Sequence, residues 1–237
     1  MGKKFVVRIT EQELADLIAN KMLGTNDFMG DVIKGLMKST SDTSSTSTPS
    51  TKSTFTPSMG STAGEFMDLD LNSQDGFNAY KEISDKFIGS RSSNLLGING
   101  TMLANGAKNA FNKFGKYVPA ELALAQLATE GGFSPNPKAR PIRTKNPFNV
   151  GNYDNGRNVY HSSVQSGIQA YFDLIAKDYL TGGKTASDLL NNFVNKSGLR
   201  YATSNYEDIV SKIANQAKQM SQPIYASLTK KSGSNMV

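Results

Sequence analysis

Glu130 is the residue of this chain best placed to do chemistry. It closes an almost wholly apolar stretch, Val118-Pro-Ala-Glu-Leu-Ala-Leu-Ala-Gln-Leu-Ala-Thr-Glu130, and Gly131 and Gly132 follow. Pro119 suits a first helical turn and the glycine pair suits a helix end, so the spacing predicts a helix over 119–130. Leu122, Leu124, Ala125, Leu127 and Ala128 are spread round that helix, which predicts burial on most sides. Two forces then push the carboxyl toward its neutral form: desolvation, and the partial negative charge at a helix C-terminus. A carboxylic acid that holds its proton near neutral pH is what general-acid cleavage of a glycoside needs. The competing reading is a partly exposed glutamate that only solvates the helix end. Gln126 lies one turn earlier on the same face, placed to steady the acid.

The elements that must hold this residue are helical. Candidate helices run over 75–89, 100–114, 119–130, 163–180, 185–195 and 205–220. The stretch 131–160, rich in Gly, Pro and Asn, has room for a small β-hairpin with Asp154-Asn155-Gly156 as its turn. The fold class expected is therefore mainly α, a helical domain over 73–237 with a small β-hairpin lobe. Ahead of it, 39–72 reads as a flexible linker, because 17 of the 24 residues in 39–62 are Ser or Thr and cannot offset their ordering entropy. Residues 1–38 carry a capping-box spacing, Thr10 to Glu13, and an apolar stripe of Leu14, Leu17, Ile18 and Met22. That piece is too small for a core of its own, so it is expected to dock on its own chain or to anchor the protein in a larger assembly.

Composition narrows the function classes. The chain has 237 residues, 38% hydrophobic, enough for one medium domain with an appendage. A net charge of +6 favours approach to polyanions, whether cell-wall teichoic acids, anionic envelope surfaces or nucleic acid, and is too mild to decide among them. Its aromatic and basic residues are not interleaved as nucleic-acid binding favours, so no nucleic-acid partner is expected. The basic loop from Lys138 to Lys145 reads as a solvated surface or as a contact for anions. With no cysteine and a single histidine, His161, neither a metal nor another cofactor is expected. His161 itself reads as a surface or supporting residue. No apolar run is long enough for a membrane span, and Phe5 to Ile9 is too short and too interrupted by Arg8 to be a signal peptide.

Four segments in order carry a resemblance. They are Ala125-Gln126-Leu-Ala-Thr-Glu130-Gly131, then Asn146-Pro-Phe-Asn149-Val-Gly151, then the segment opening at Tyr160, then Tyr201-Ala-Thr-Ser-Asn-Tyr206. Over roughly residues 75–220 the chain resembles the bacterial and phage N-acetylglucosaminidase family of the lysozyme-like superfamily. It departs from the family pattern at Gly131-Gly132-Phe133, where a small residue and often a Trp follow the acid. The resemblance implies a lysozyme-like domain and a peptidoglycan hydrolase with Glu130 as its acid and glycan strands as its substrate. A muramidase and a lytic transglycosylase stay open beside the glucosaminidase, as does an inactive lysozyme-like structural or glycan-binding protein. Asp154, in the loop after the Asn149 motif, is the candidate second carboxylate, with a turn-forming role as the competing reading. A mechanism without one is also open, with the substrate's 2-acetamido oxygen or the muramic 6-hydroxyl as nucleophile. Asn149 is expected to bind an N-acetyl group or to hold its loop, and Tyr153, Tyr160 and Tyr206 to offer faces and hydroxyls to sugar rings. The first residues are also similar to N-terminal segments of structural proteins of Bacteroidetes phages. That likeness implies carriage in a virion through residues 1–38, or release to the host wall at lysis.

Overall fold

The computed structural model describes residues 66–152, 157–202 and 205–234. The segment 1–38, most of the expected linker, and Tyr153 and Asp154 lie outside the described residues. Within them the fold is mainly α, with seven α-helices. Helix α1 is Gln74–Gly89, α2 Gly100–Phe114, α3 Ala120–Thr129, α4 Arg140–Thr144, α5 Val164–Leu174, α6 Ala186–Asn191 and α7 Tyr206–Ser234. A π-helical turn, Ile175–Tyr179, continues α5.

Local chemistry explains the starts and stops. Ser73 caps α1 by accepting from the Gly76 N–H at 3.0 Å, and Asn99 caps α2 by accepting from Met102 at 3.0 Å. Ser163 with Ser166, and Thr185 with Asp188, form reciprocal capping boxes at α5 and α6. Gly115, at φ 65°, ends α2 in the left-handed conformation that glycine adopts at least cost.

Helix α3 is the axis of the core. Every residue from Ala120 to Leu127 is buried, and the helix packs against α7 and α1. Helix α2 packs on α1 and on α5, which closes the other side. The burial of Glu121 inside α3 requires polar partners, and α7 supplies them. The hydroxyls of Ser221 and Tyr225 both donate to its Oε1 at 2.7 Å.

Several features differ from expectation, among them the helix expected over 185–195, which ends at Asn191. Leu69 and Leu71, inside the stretch read as linker, are buried in the core at 7% and 1% exposure, so the packed domain begins ahead of residue 73. Helix α7 runs well past 220, because Ile224 and Tyr225 continue its buried face. No β-hairpin appears among the described residues, whose one extended pairing is an isolated antiparallel bridge between Val194 and Arg200. The flanks of the expected hairpin are joined instead by a side chain, with the Val159 N–H donating to Asn152 Oδ1 at 2.7 Å.

The loop 145–149 is seated by close backbone approach. A Cβ on Gly167 of α5 would lie 2.2 Å from the Lys145 carbonyl oxygen. Replacing Gly167 with alanine therefore forces α5 and the loop apart, at a cost of ~1–3 kcal/mol. Thermal unfolding of Gly167→Ala should shift down by about 5 °C. Gly89→Ala, where a Cβ meets nothing within 4 Å, should unfold at or slightly above the wild-type temperature.

Candidate active site

Glu130 occupies the C-cap of α3. Behind it the chain turns through a Schellman motif: the Gly132 N–H donates to Leu127 O at 2.9 Å and the Gly131 N–H to Ala128 O at 3.4 Å. Gly131 takes φ 80°, which a side chain would strain. Gly132 is required for a different reason. A Cβ there would meet Leu127 Cδ1 at 2.4 Å and Pro147 O at 3.0 Å, so its absence lets the 146–149 loop close on the helix end. Both glycines are thus a geometric requirement of this site.

The loop is held by its own asparagines. Asn146 is fully buried, donates to Val150 O at 2.9 Å and accepts from the Val150 N–H at 3.0 Å. Asn149, at φ 52°, turns its amide back on the acid. Its Nδ2 donates to the Glu130 carbonyl at 2.9 Å and lies 3.4 Å from Glu130 Oε2. Phe148 beneath it stacks on Tyr171, with ring centroids 3.7 Å apart and planes 6° apart.

On the other side Tyr206, the first residue of α7, donates its hydroxyl to Glu130 Oε1 at 2.8 Å. Gln126, fully buried, donates from Nε2 to the Tyr206 oxygen at 2.9 Å and accepts from the Tyr171 hydroxyl at 2.6 Å. Tyr201 stacks on Tyr206 at 5.2 Å and donates to Phe148 O at 3.2 Å, so it ties the loop to the start of α7.

The electrostatics follow from this packing. Glu130 is half-buried, and protein surrounds its carboxyl closely enough that desolvation lifts its pKa from the usual 4.5 to about 7. The hydrogen bonds from Tyr206 and Asn149 and the charge of Arg140 oppose that rise without cancelling it. The acid in turn raises the pKa of Tyr171, Tyr201 and Tyr206, all of which burial already pushes well up.

Of the residues read from sequence, the structure gathers Glu130, Gln126, Asn149 and Tyr206 into one cluster. Tyr160 is not part of it. It stands 63% exposed, with no hydrogen bond or ring contact to Glu130 among the described residues. His161 is held through its backbone N–H to Thr144 O at 2.9 Å, and partial burial lowers its pKa. Tyr171, Tyr201, Asn152 and Arg140 belong to the site without having been singled out. Tyr171 falls at core spacing with Ile168, Phe172 and Ile175, so its pattern reads as packing. Arg140 lies in the basic loop read as a surface or an anion contact.

No group of His, Cys, Asp and Glu able to hold a metal occurs among the described residues, and no helix among them is long and apolar enough to cross a membrane. No protein-family model, curated protein or solved structure matches the chain.

A raised folded pKa has a direct consequence for stability. The native state binds the Glu130 proton more tightly than the unfolded chain, so its contribution to stability falls as pH rises from 4.5 toward about 7. Glu130→Gln removes that loss. The variant should unfold at a higher temperature than wild type at pH 8, a gain on the order of 2 kcal/mol that vanishes near pH 4. Thermal melts of both proteins across pH 4–8 measure it.

Proposed function

We propose that this protein is a peptidoglycan hydrolase, a glycosidase of lysozyme-like type in which Glu130 is the general acid. The observation that carries the reading is a carboxyl pushed up to about 7 yet anchored on both oxygens' sides by Tyr206 and Asn149. A protonated acid near neutral pH can deliver its proton to the glycosidic oxygen as the bond from C1 to that oxygen breaks. The carboxylate left behind is stabilised by the same Tyr206 and Asn149 contacts and by Arg140. In a two-step route it then takes a proton from the attacking water, which restores the acid, whereas in a single displacement Asp154 takes that proton.

No carboxylate among the described residues contacts Glu130. On the hydrolase reading the second group is Asp154 or the substrate's own 2-acetamido oxygen; a muramic 6-hydroxyl in that role would instead make the protein a lytic transglycosylase. The order of the four segments supports the lysozyme-like class, and its resemblance to N-acetylglucosaminidases makes reducing N-acetylglucosamine ends the products to look for first. The N-terminal segment supports a phage protein that acts on the host wall, carried in the virion or released at lysis. If it is carried in the virion, residues 1–38 are the segment that would contact other virion proteins.

Purified cell walls test the acid directly. Wild type should clear them with an alkaline limb near pH 7. Glu130→Gln should lose ~10²–10⁴-fold in rate while its circular dichroism is unchanged. Equal clearing by both proteins would remove Glu130 from the chemistry. Mass spectrometry of the released ends should find reducing N-acetylglucosamine, whereas reducing muramic acid or an anhydro ring reassigns the bond or the reaction. A second measurement addresses the partner group. Asp154→Asn should fall by about two orders of magnitude or more if its carboxylate acts in the reaction, and hold near the wild-type rate if the substrate assists.

A further inference from the structure

We infer that Tyr171, acting through Gln126, is a positioning residue that commits the proton of neutral Glu130 to Oε2, the oxygen beside Asn149. The hydrogen bonds allow no other arrangement at equal cost. Tyr171 is fully buried, and among the described residues its hydroxyl has a single partner, Gln126 Oε1 at 2.6 Å. A phenol in a dry core has to donate its proton somewhere, so the Gln126 carboxamide must turn its oxygen toward Tyr171. Its amino group then faces Tyr206 at 2.9 Å and can only donate. The Tyr206 oxygen is occupied as an acceptor, and its own proton is directed to Glu130 Oε1 at 2.8 Å.

The other side of the carboxyl is fixed independently. Asn149 Nδ2 faces the Glu130 carbonyl, which only accepts, at 2.9 Å. Asn149 Oδ1 accepts from Asn152 Nδ2 at 3.0 Å, and Asn152 Oδ1 accepts from the Val159 N–H, which only donates, at 2.7 Å. Backbone groups at both ends therefore set the orientation of both amides. Oε1 of the neutral acid is spoken for as an acceptor, and the proton sits on Oε2.

The reverse arrangement shows what Tyr171 prevents. With Gln126 flipped, Tyr206 donates to Gln126 and Glu130 donates to Tyr206. The acid's proton then points back into the core, away from any substrate, and the Tyr171 hydroxyl is left without an acceptor. The remaining titratable or charged groups that act on the carboxyl are Arg140 and Tyr201. Neither takes part in the donor chain.

The consequence for rate rests on the hydrolase reading, but the placement of the proton does not, and the experiment separates the two. Tyr171→Phe deletes the anchoring hydroxyl and keeps the ring that stacks on Phe148. Freed to flip, Gln126 should let neutral Glu130 donate to Tyr206, which favours the protonated form. The Glu130 titration, followed by carboxyl ¹³C NMR on the full chain, should move up by ~0.5–1 unit. On purified walls kcat should fall about tenfold with KM within about twofold, and the alkaline limb should move upward with the titration. Gln126→Leu should shift the titration upward as well. A Tyr171→Phe protein that melts lower but keeps the wild-type titration and kcat overturns the inference, since that is the signature of packing alone. An upward titration in a chain whose wild type cleaves no walls supports the proton placement and defeats the hydrolase reading.

Discussion

The all-round burial of α3 is the constraint from which the rest of the described structure follows. A helix enclosed on every side has no solvated face on which to carry charge, yet α3 holds a glutamate in its first turn and has another at its C-cap. Each acid is met by a tyrosine hydroxyl from α7, Tyr225 at Glu121 and Tyr206 at Glu130. The two helices are thus joined by polar contacts at both ends as well as by apolar packing between. The ends are not equivalent. Glu121 is 1% exposed and receives two hydroxyls on one oxygen, an arrangement that clamps the helices. Glu130, at the other end of the helix, is half-buried. Position along one buried helix separates a fully enclosed residue from a half-buried one.

Close approach is the second requirement, and glycine meets it twice. Gly132 lets the 146–149 loop meet the end of α3, and Gly167 lets α5 meet the loop from behind. Between those contacts Asn149 is left in the left-handed region, at φ 52°, a conformation that asparagine tolerates better than most residues. The side chain aimed at Glu130 is therefore fixed by backbone geometry on one side and by Asn152 on the other. The acid is gripped between a loop that cannot retreat and a helix start that cannot turn away.

Much of this was legible in the residues. Apolar spacing located α1, α2 and α3 to within a residue or two, and the glycine pair after Glu130 marked the turn that the Schellman motif completes. Gln126 was legible as a neighbour of the acid, because residues one helical turn apart share a face. Tyr171 was not. Its spacing is that of a core residue, and it is a core residue; only the oxygen at its tip belongs to the site, and periodicity carries no information about one atom. Tyr201 is obscured in the same way by its stacking with Tyr206. The described flanks of the expected hairpin, Asn152 and Val159, meet through a side chain, and its turn lies outside the described residues. A Gly- and Asn-rich stretch signals turns, but it does not say whether backbone pairing or side chains such as Asn152 will close them.

The strength of the acid is a balance rather than a consequence of burial alone. Desolvation by itself favours a carboxyl that never gives up its proton, and a full set of donors favours one that never keeps it. Here one short hydrogen bond from Tyr206, one long contact from Asn149 and the more distant charge of Arg140 pull against burial, and the outcome is about 7. A general acid works best with its pKa near the ambient pH, where it is both protonated and willing to donate. The stabilising groups are also arranged unequally about the two oxygens. The strong donor engages Oε1 and the weak one lies near Oε2, so the oxygen that must lose a proton is the one less encumbered. On the proposed reading, the asymmetry that tunes the acid also aims it, and both trace to which end of a buried amide faces Tyr171.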